Sequence, residues 1–210
     1  MNKKRAQFIG VCVVLMFCFY SNLFSQDDKR LGTHAMIRDF DHIEKIIDAH
    51  PDPYTHLSEQ DFKAKFEEVK STLNEPHNTL DYYKKVATIV ALLKDGHSSV
   101  HLPRFWMRTL RTKNGAFPYE VHLTNDDELF VIKNFNNGEI PLAAKIIAIN
   151  GVSVNDFLAS IDPYISYELK HFRNTIIDED FEKYLYLAFG FADGTEMTYF
   201  TSDTASVKVK

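Results

Sequence analysis

Ala144-Lys145-Ile146-Ile147-Ala148-Ile149-Asn150-Gly151-Val152-Ser153-Val154 is the stretch whose reading decides the fold. Lys145 to Ile149 is rich in β-branched residues and has the length of a strand. Asn150-Gly151 then supplies the tight turn of a hairpin, whose central residues both need positive φ. Working outward, Phe117, Tyr119, Val121 and Leu123 alternate with Pro118, Glu120 and His122, the period of a strand with one buried face. Asn125-Asp126-Asp127 is a turn, Leu129 to Phe135 a second strand, and Asn136-Asn137-Gly138 another turn. Downstream, Asn155 to Ile161 reads as a short helix capped by Asn155. Phe181 to Phe189 reads as another, with Phe181, Tyr184, Leu185 and Ala188 on its apolar face, and Glu196 to Phe200 as a strand.

Upstream the period changes. Residues 33–110 have helical character. Thr33 can cap a helix whose Met36, Ile37, Phe40, Ile43, Ile46 and Ile47 recur at spacings of three and four, and which must end near His50 because Pro51 and Pro53 cannot continue it. Ser58, with Asp61 three residues on, opens a second helix that buries Phe62, Phe66, Val69 and Leu73. Thr79 opens a third, with Tyr83, Val86, Ala87, Val90 and Leu93 inward. Asp95-Gly96 supplies its stop, glycine being suited to the left-handed position past a helix end. The periods switch near Thr112-Lys113-Asn114-Gly115. The expected organisation is a leader over 1–25, a helical region over 26–112 and a mostly-β region over 113–210, an α+β fold with short helices in its β part.

The leader is read from Lys3, Lys4 and Arg5 followed by an apolar run from Phe8 to Tyr20 and a small residue, Ser25, at the expected cleavage site. That predicts export to a periplasmic or extracellular location. The run is shorter than the roughly 20 residues of a spanning helix, so no stable membrane span is expected after cleavage. Cleavage moves the net charge from −5 to −8, since the leader carries three positive charges and no acidic ones, and it removes both cysteines, Cys12 and Cys18. A mature chain of about 185 residues then has no thiol chemistry and relies on its core. With 45% hydrophobic and 25% charged residues the composition is globular rather than disordered, and a mildly acidic chain without a basic stretch excludes a nucleic-acid partner.

Two motifs go beyond periodicity. Leu92-Leu93-Lys94-Asp95-Gly96-His97-Ser98-Ser99-Val100 places a histidine directly after a helix end. The Ala144–Val154 run resembles the GDxIxxINGxxV signature of PDZ-like domains, with Ala144 and Lys145 where Gly-Asp is usual. In this order, after His50-Pro51-Asp52-Pro53-Tyr54 and followed by the PDZ-like unit, the chain over roughly 33–200 resembles the front part of the tail-specific (C-terminal processing) serine peptidases, the group that includes the tricorn core. The resemblance implies an exported serine-type peptidase that hydrolyses peptide bonds through a serine acyl-enzyme. It implies His97 as general base, a neighbouring imidazole being what makes a serine hydroxyl nucleophilic. Read alone, His97 is a polar residue satisfying helix-end carbonyls; the order of the motifs is what favours the general base. The family's nucleophile lies in a later α/β catalytic domain that these residues do not contain. Ser202 and Ser206 sit in a polar tail and are not read as nucleophiles, so the 210 residues alone are expected to be inactive.

The PDZ-like unit implies a peptide taken as an added strand, with its carboxylate on backbone N–H groups. The candidate loop is Gly115-Ala116-Phe117, where Phe117 reads equally as core. The expected partners are a peptide or protein substrate and the catalytic domain. Alternatives are a peptide-binding module without catalysis and a carrier of a small hydrophobic ligand. No cofactor and no metal are expected: His97 and His101 are four apart, but Gly96 ends the helix that such a pair would need. Tyr184, Tyr186, Phe189 and Phe191, near Tyr164 and Tyr167, read as core rather than a carbohydrate platform. Arg104, Arg108, Arg111 and Lys113, with Phe105 and Trp106, read as a cleft rim or a contact with the catalytic domain.

Overall fold

A helix begins at Thr33 because the chain turns from an extended Gly32 into a segment with one apolar face. This first helix, α1 (Thr33–Asp48), buries Met36, Phe40 and Ile47. Gly32 occupies the cap and offers no side-chain bond, so Thr33 lies inside the helix instead of capping it. The computed structural model describes residues 30–114, 117–135, 138–190, 195–201 and 203–209. The leader with Cys12 and Cys18, the loop residues Gly115 and Ala116, Phe191 and Ser202 lie outside the described residues.

Ser58 caps α2 (Glu59–Ser71) as its sequence predicts: its Oγ accepts from the Asp61 N–H at 3.1 Å. α3 (Thr79–Ala91) is capped by Asn78, whose side chain accepts from the Asp81 N–H at 2.8 Å. Phe40, Phe62 and Phe66 meet between these helices, with ring centroids 5.3 Å apart for Phe40–Phe66 and 6.2 Å for Phe62–Phe66. Leu73, Val86, Ile89 and Leu93 complete this cluster. Each such side chain, fully withdrawn from water, contributes about 1.5–3 kcal/mol. α4 (Arg104–Asn114) follows.

The rest of the chain builds an antiparallel six-stranded sheet from β1 (Tyr119–Leu123), β2 (Leu129–Asn134), β3 (Lys145–Ile149), β4 (Val152–Ser153), β5 (Thr195–Phe200) and β6 (Thr204–Val209). The order is β1-β2-β3-β5-β6, with β4 folded back on β3 through Asn150 and Gly151 at φ 51° and 76°. β1 alternates buried and exposed residues from end to end. The sheet's apolar face is covered by α5 (Val154–Ile161), α6 (Lys170–Glu179) and α7 (Phe181–Phe189), so that Val121, Leu129, Val131, Ile146 and Met197 pack with Phe157, Ile161, Ile177 and Tyr184. α3 serves both clusters: Val86 and Ile89 face the helical one, and Tyr83 and Ala87 face the one beneath the sheet. The fold is α+β, a helical N-terminal part followed by a β unit with short helices. Among the described residues no helix is long and apolar enough to cross a membrane.

Three local expectations change. Ser153, not Asn155, caps α5, accepting from the Asp156 N–H at 3.1 Å. The polar tail is a strand, since β6 pairs with β5 from Thr195↔Val209 to Phe200↔Thr204. α3 is not ended by a left-handed Gly96: Lys94 takes the positive φ of 48°.

Candidate functional site

The turn after α3 is fixed by one carboxylate. Lys94 reverses the chain, and Asp95 then sits where its Oδ2 accepts from Ser98 Oγ at 2.7 Å and its Oδ1 accepts from the His97 N–H at 3.0 Å. His50, at the end of α1, brings Nε2 to 3.1 Å from the same Oδ2. The Asp52 N–H points at His50 Nδ1 from 3.3 Å, which assigns the ring proton to Nε2 and makes His50 a donor to Asp95. The bonds from Ser98 and the His97 backbone, with His50 adding to them, hold Asp95 at about 2, below the ordinary carboxylate range. The Asp95 N–H donates to Ser166 Oγ at 2.9 Å and so ties the turn to the segment preceding α6.

Gly96 is required here for closeness rather than for φ. A Cβ on it would lie 2.2 Å from Phe172 Cε1 and 2.9 Å from Glu168 Oε2. His97 thus has a held backbone and an exposed ring: its side chain is 95% exposed, and Nδ1 makes one long contact, 3.4 Å, with Asp95 Oδ1. The ring stands at the rim of a groove of about 520 Å³ lined by Ile43, Ile46, Val90, Leu93 and Val100, with His50 and His101 also at its edge. An imidazole so placed can accept a proton from a group brought to it from outside the turn. His50 and Ser166 are the contributors that periodicity does not reveal. His50 lies in the His-Pro stretch of the resemblance, and Ser166 has no sequence signal.

Tyr54 of that same stretch is structural. Its hydroxyl donates to Asp48 Oδ1 at 2.8 Å, and its ring lies 5.6 Å from Phe62. Burial, and then Asp48, push its hydroxyl up to about 12. Among the described residues, Asp95, His97 and Glu168 bring one ligand atom each within 4.8 Å of one another, an exposed set for His97 and Glu168. His101 stands apart from it, with Nε2 3.1 Å from Ser99 Oγ.

Phe117 is partly buried, its ring 5.4 Å from Phe181 and 5.6 Å from Tyr119, and its N–H donates to Glu182 Oε1 at 3.3 Å. Of the basic-aromatic group, Arg111 pairs with Glu182 at 2.6 Å, and Trp106 meets Tyr186 edge-on at 6.0 Å. Tyr184 and Tyr186 are buried, in keeping with their reading as core. Ser206 lies within β6, 3.0 Å from Thr198 Oγ1, away from any strand-to-helix turn.

Two solved structures share this fold. A mutant of CPAF, a chlamydial tail-specific-protease-like serine protease, aligns with a TM-score of 0.54 at 17% identity, over 84% of this chain and 33% of its own. Mature CPAF aligns with a TM-score of 0.52 at 16% identity, over 84% and 34%. The likeness is one of fold, and the chain spans about one third of the length of these structures. No protein-family model and no curated protein sequence matches the chain.

Proposed function

We propose that this chain is the N-terminal portion of an exported serine-type peptidase, with His97 as its general base and the β unit serving as a PDZ-like peptide-binding element. The observation that carries the reading is the turn itself. A carboxylate committed to Ser98, His50 and the His97 N–H fixes the backbone and leaves the imidazole in solvent beside an apolar groove. A histidine that only completed a helix end would turn its ring to the terminal carbonyls. The fold shared with part of a serine protease supports the peptidase reading at the level of fold. In the proposed reaction the nucleophilic hydroxyl comes from an α/β unit downstream. Its proton passes to the His97 imidazole as the oxygen attacks the peptide carbonyl, and the imidazolium then protonates the leaving amine.

The test is fluorophosphonate labelling of the protein expressed from the whole reading frame, set beside its His97→Ala variant and the 210-residue chain alone. Labelling of the whole protein should fall by about 10² to 10⁴ in His97→Ala, the usual worth of a positioned base. The 210 residues alone should not label. Labelling indifferent to His97 sinks the assignment, and a frame that stops at Lys210 leaves peptide binding without catalysis as the function.

A further inference from the structure

The outer edge of β1 carries N–H groups that another strand would ordinarily take. Thr124 donates inward to the Glu128 carbonyl at 2.9 Å, so by alternation the Leu123 N–H faces away from β2. Two carboxylates reach this edge instead. Asp178 Oδ1, near the end of α6, accepts from the Leu123 N–H at 2.8 Å, and Glu182 Oε1, at the start of α7, accepts from the Phe117 N–H at 3.3 Å. Both are fastened from the other side. His122 Nδ1 lies 2.8 Å from Asp178 Oδ2, and Arg111 brings Nη2 to 2.6 Å and Nε to 2.7 Å from Glu182 Oε2. The Glu182 side chain is 11% exposed and that of Arg111 is 56% exposed, so the cation is open to solvent while the anion is tucked against the strand.

A peptide adding to this edge needs those same N–H groups, and its terminal carboxylate needs a donor and a cation together, which is what Glu182 already holds. We infer that the Phe117 N–H and Arg111 form a carboxylate site whose built-in occupant is Glu182, and that a peptide with a free C-terminus binds by displacing that side chain. The inference rests on the peptide-binding part of the proposed function. The Phe117 ring, only partly buried beside the site, favours an apolar last residue. Because apparent affinity scales with the fraction of sites that are open, a resident carboxylate weakens binding and its removal strengthens it.

The probe is a fluorescein-labelled hexapeptide ending in valine and leucine, made as the free acid and as the amide, titrated by fluorescence anisotropy against the chain and three variants. Glu182→Gln keeps the shape and removes the charge. It should bind the acid about tenfold more tightly than the unchanged chain does, with little change for the amide. Arg111→Gln should bring acid and amide to equal affinity. Asp178→Ala, which removes the acceptor and frees a strand N–H away from the carboxylate site, should favour both peptides alike. Thermal melts confirm that each variant is folded. If the unchanged chain prefers the acid and Glu182→Gln shifts nothing, the built-in occupant is refuted while peptide binding stands. If no form binds either peptide, the peptide-binding reading fails and the inference falls with it.

Discussion

Asp95→Asn isolates what the turn carboxylate does. In the native chain Asp95 accepts from Ser98 Oγ, the His97 N–H and His50 Nε2 at 2.7, 3.0 and 3.1 Å. These bonds hold its carboxyl at about 2. Set against an unfolded value near 3.9, such a displacement in a fully shielded site is worth about 2.6 kcal/mol. Asp95 is partly reached by water, so screening reduces this to about 1 kcal/mol. The sign follows from the folded carboxyl being the stronger acid: its stabilisation is complete above the unfolded value and is lost as pH falls through the folded one. Asparagine keeps one acceptor oxygen but presents an NH₂ where Ser98 and His50 donate, and it does not titrate. At pH 7 the variant should therefore be about 1–2 kcal/mol less stable, a lowering of Tm of about 3–6 °C in a chain of this size. Urea unfolding of both proteins between pH 7 and pH 2 gives the decisive reading. The gap should hold down to about pH 5 and narrow by about 1 kcal/mol on reaching pH 2. A gap independent of pH would refute the assignment of the turn's stability to an ionised Asp95.

Gly96→Ala should destabilise by about 1 kcal/mol, the low end of overpacking, because Phe172 is itself 37% exposed and its ring can swing outward. In urea melts, Phe172→Ala in the same chain should remove most of that penalty, and additivity of the two changes would show that the close approach is not its source. Ser153→Ala should cost about 1 kcal/mol through the lost cap of α5, whereas Asn155→Ala should cost a few tenths at most. Equal losses would mean that the cap is misassigned.

What the sequence made legible was local. β1 alternates along its whole length as Tyr119, Val121 and Leu123 predict, and Ser58 caps α2 because Asp61 stands three residues on. The same logic, applied to α5, selects Ser153, since Asp156 stands three residues on from it, two residues before the Asn155 that the apolar run alone suggests. α6 carries no start signal in its sequence, because Leu169 precedes it without a capping side chain. β6 does alternate, Ala205, Val207 and Val209 against Ser206 and Lys208, but these apolar residues are small and few, and at the sheet's edge so short a run does not stand out from a polar tail.

The geometry of the candidate site and of the β1 edge is of another kind, because in each case a side chain meets a partner far along the chain. His50 meets Asp95 across 45 residues, Asp95 meets Ser166 across 71, Asp178 meets Leu123 across 55, and Glu182 meets Phe117 across 65. No period or cap encodes such a pair, since each exists only once α1, α3, β1 and the α6–α7 junction have been brought together by their apolar faces. Packing therefore comes first and polar selectivity after it. The two hydrophobic clusters share α3, and the Asp95 turn that follows it is stitched to His50 on one side and to Ser166 on the other. A substitution that loosened either cluster would be felt at His97 without touching it. Core variants such as Phe66→Ala thus need a stability measurement before any change in activity is ascribed to the histidine.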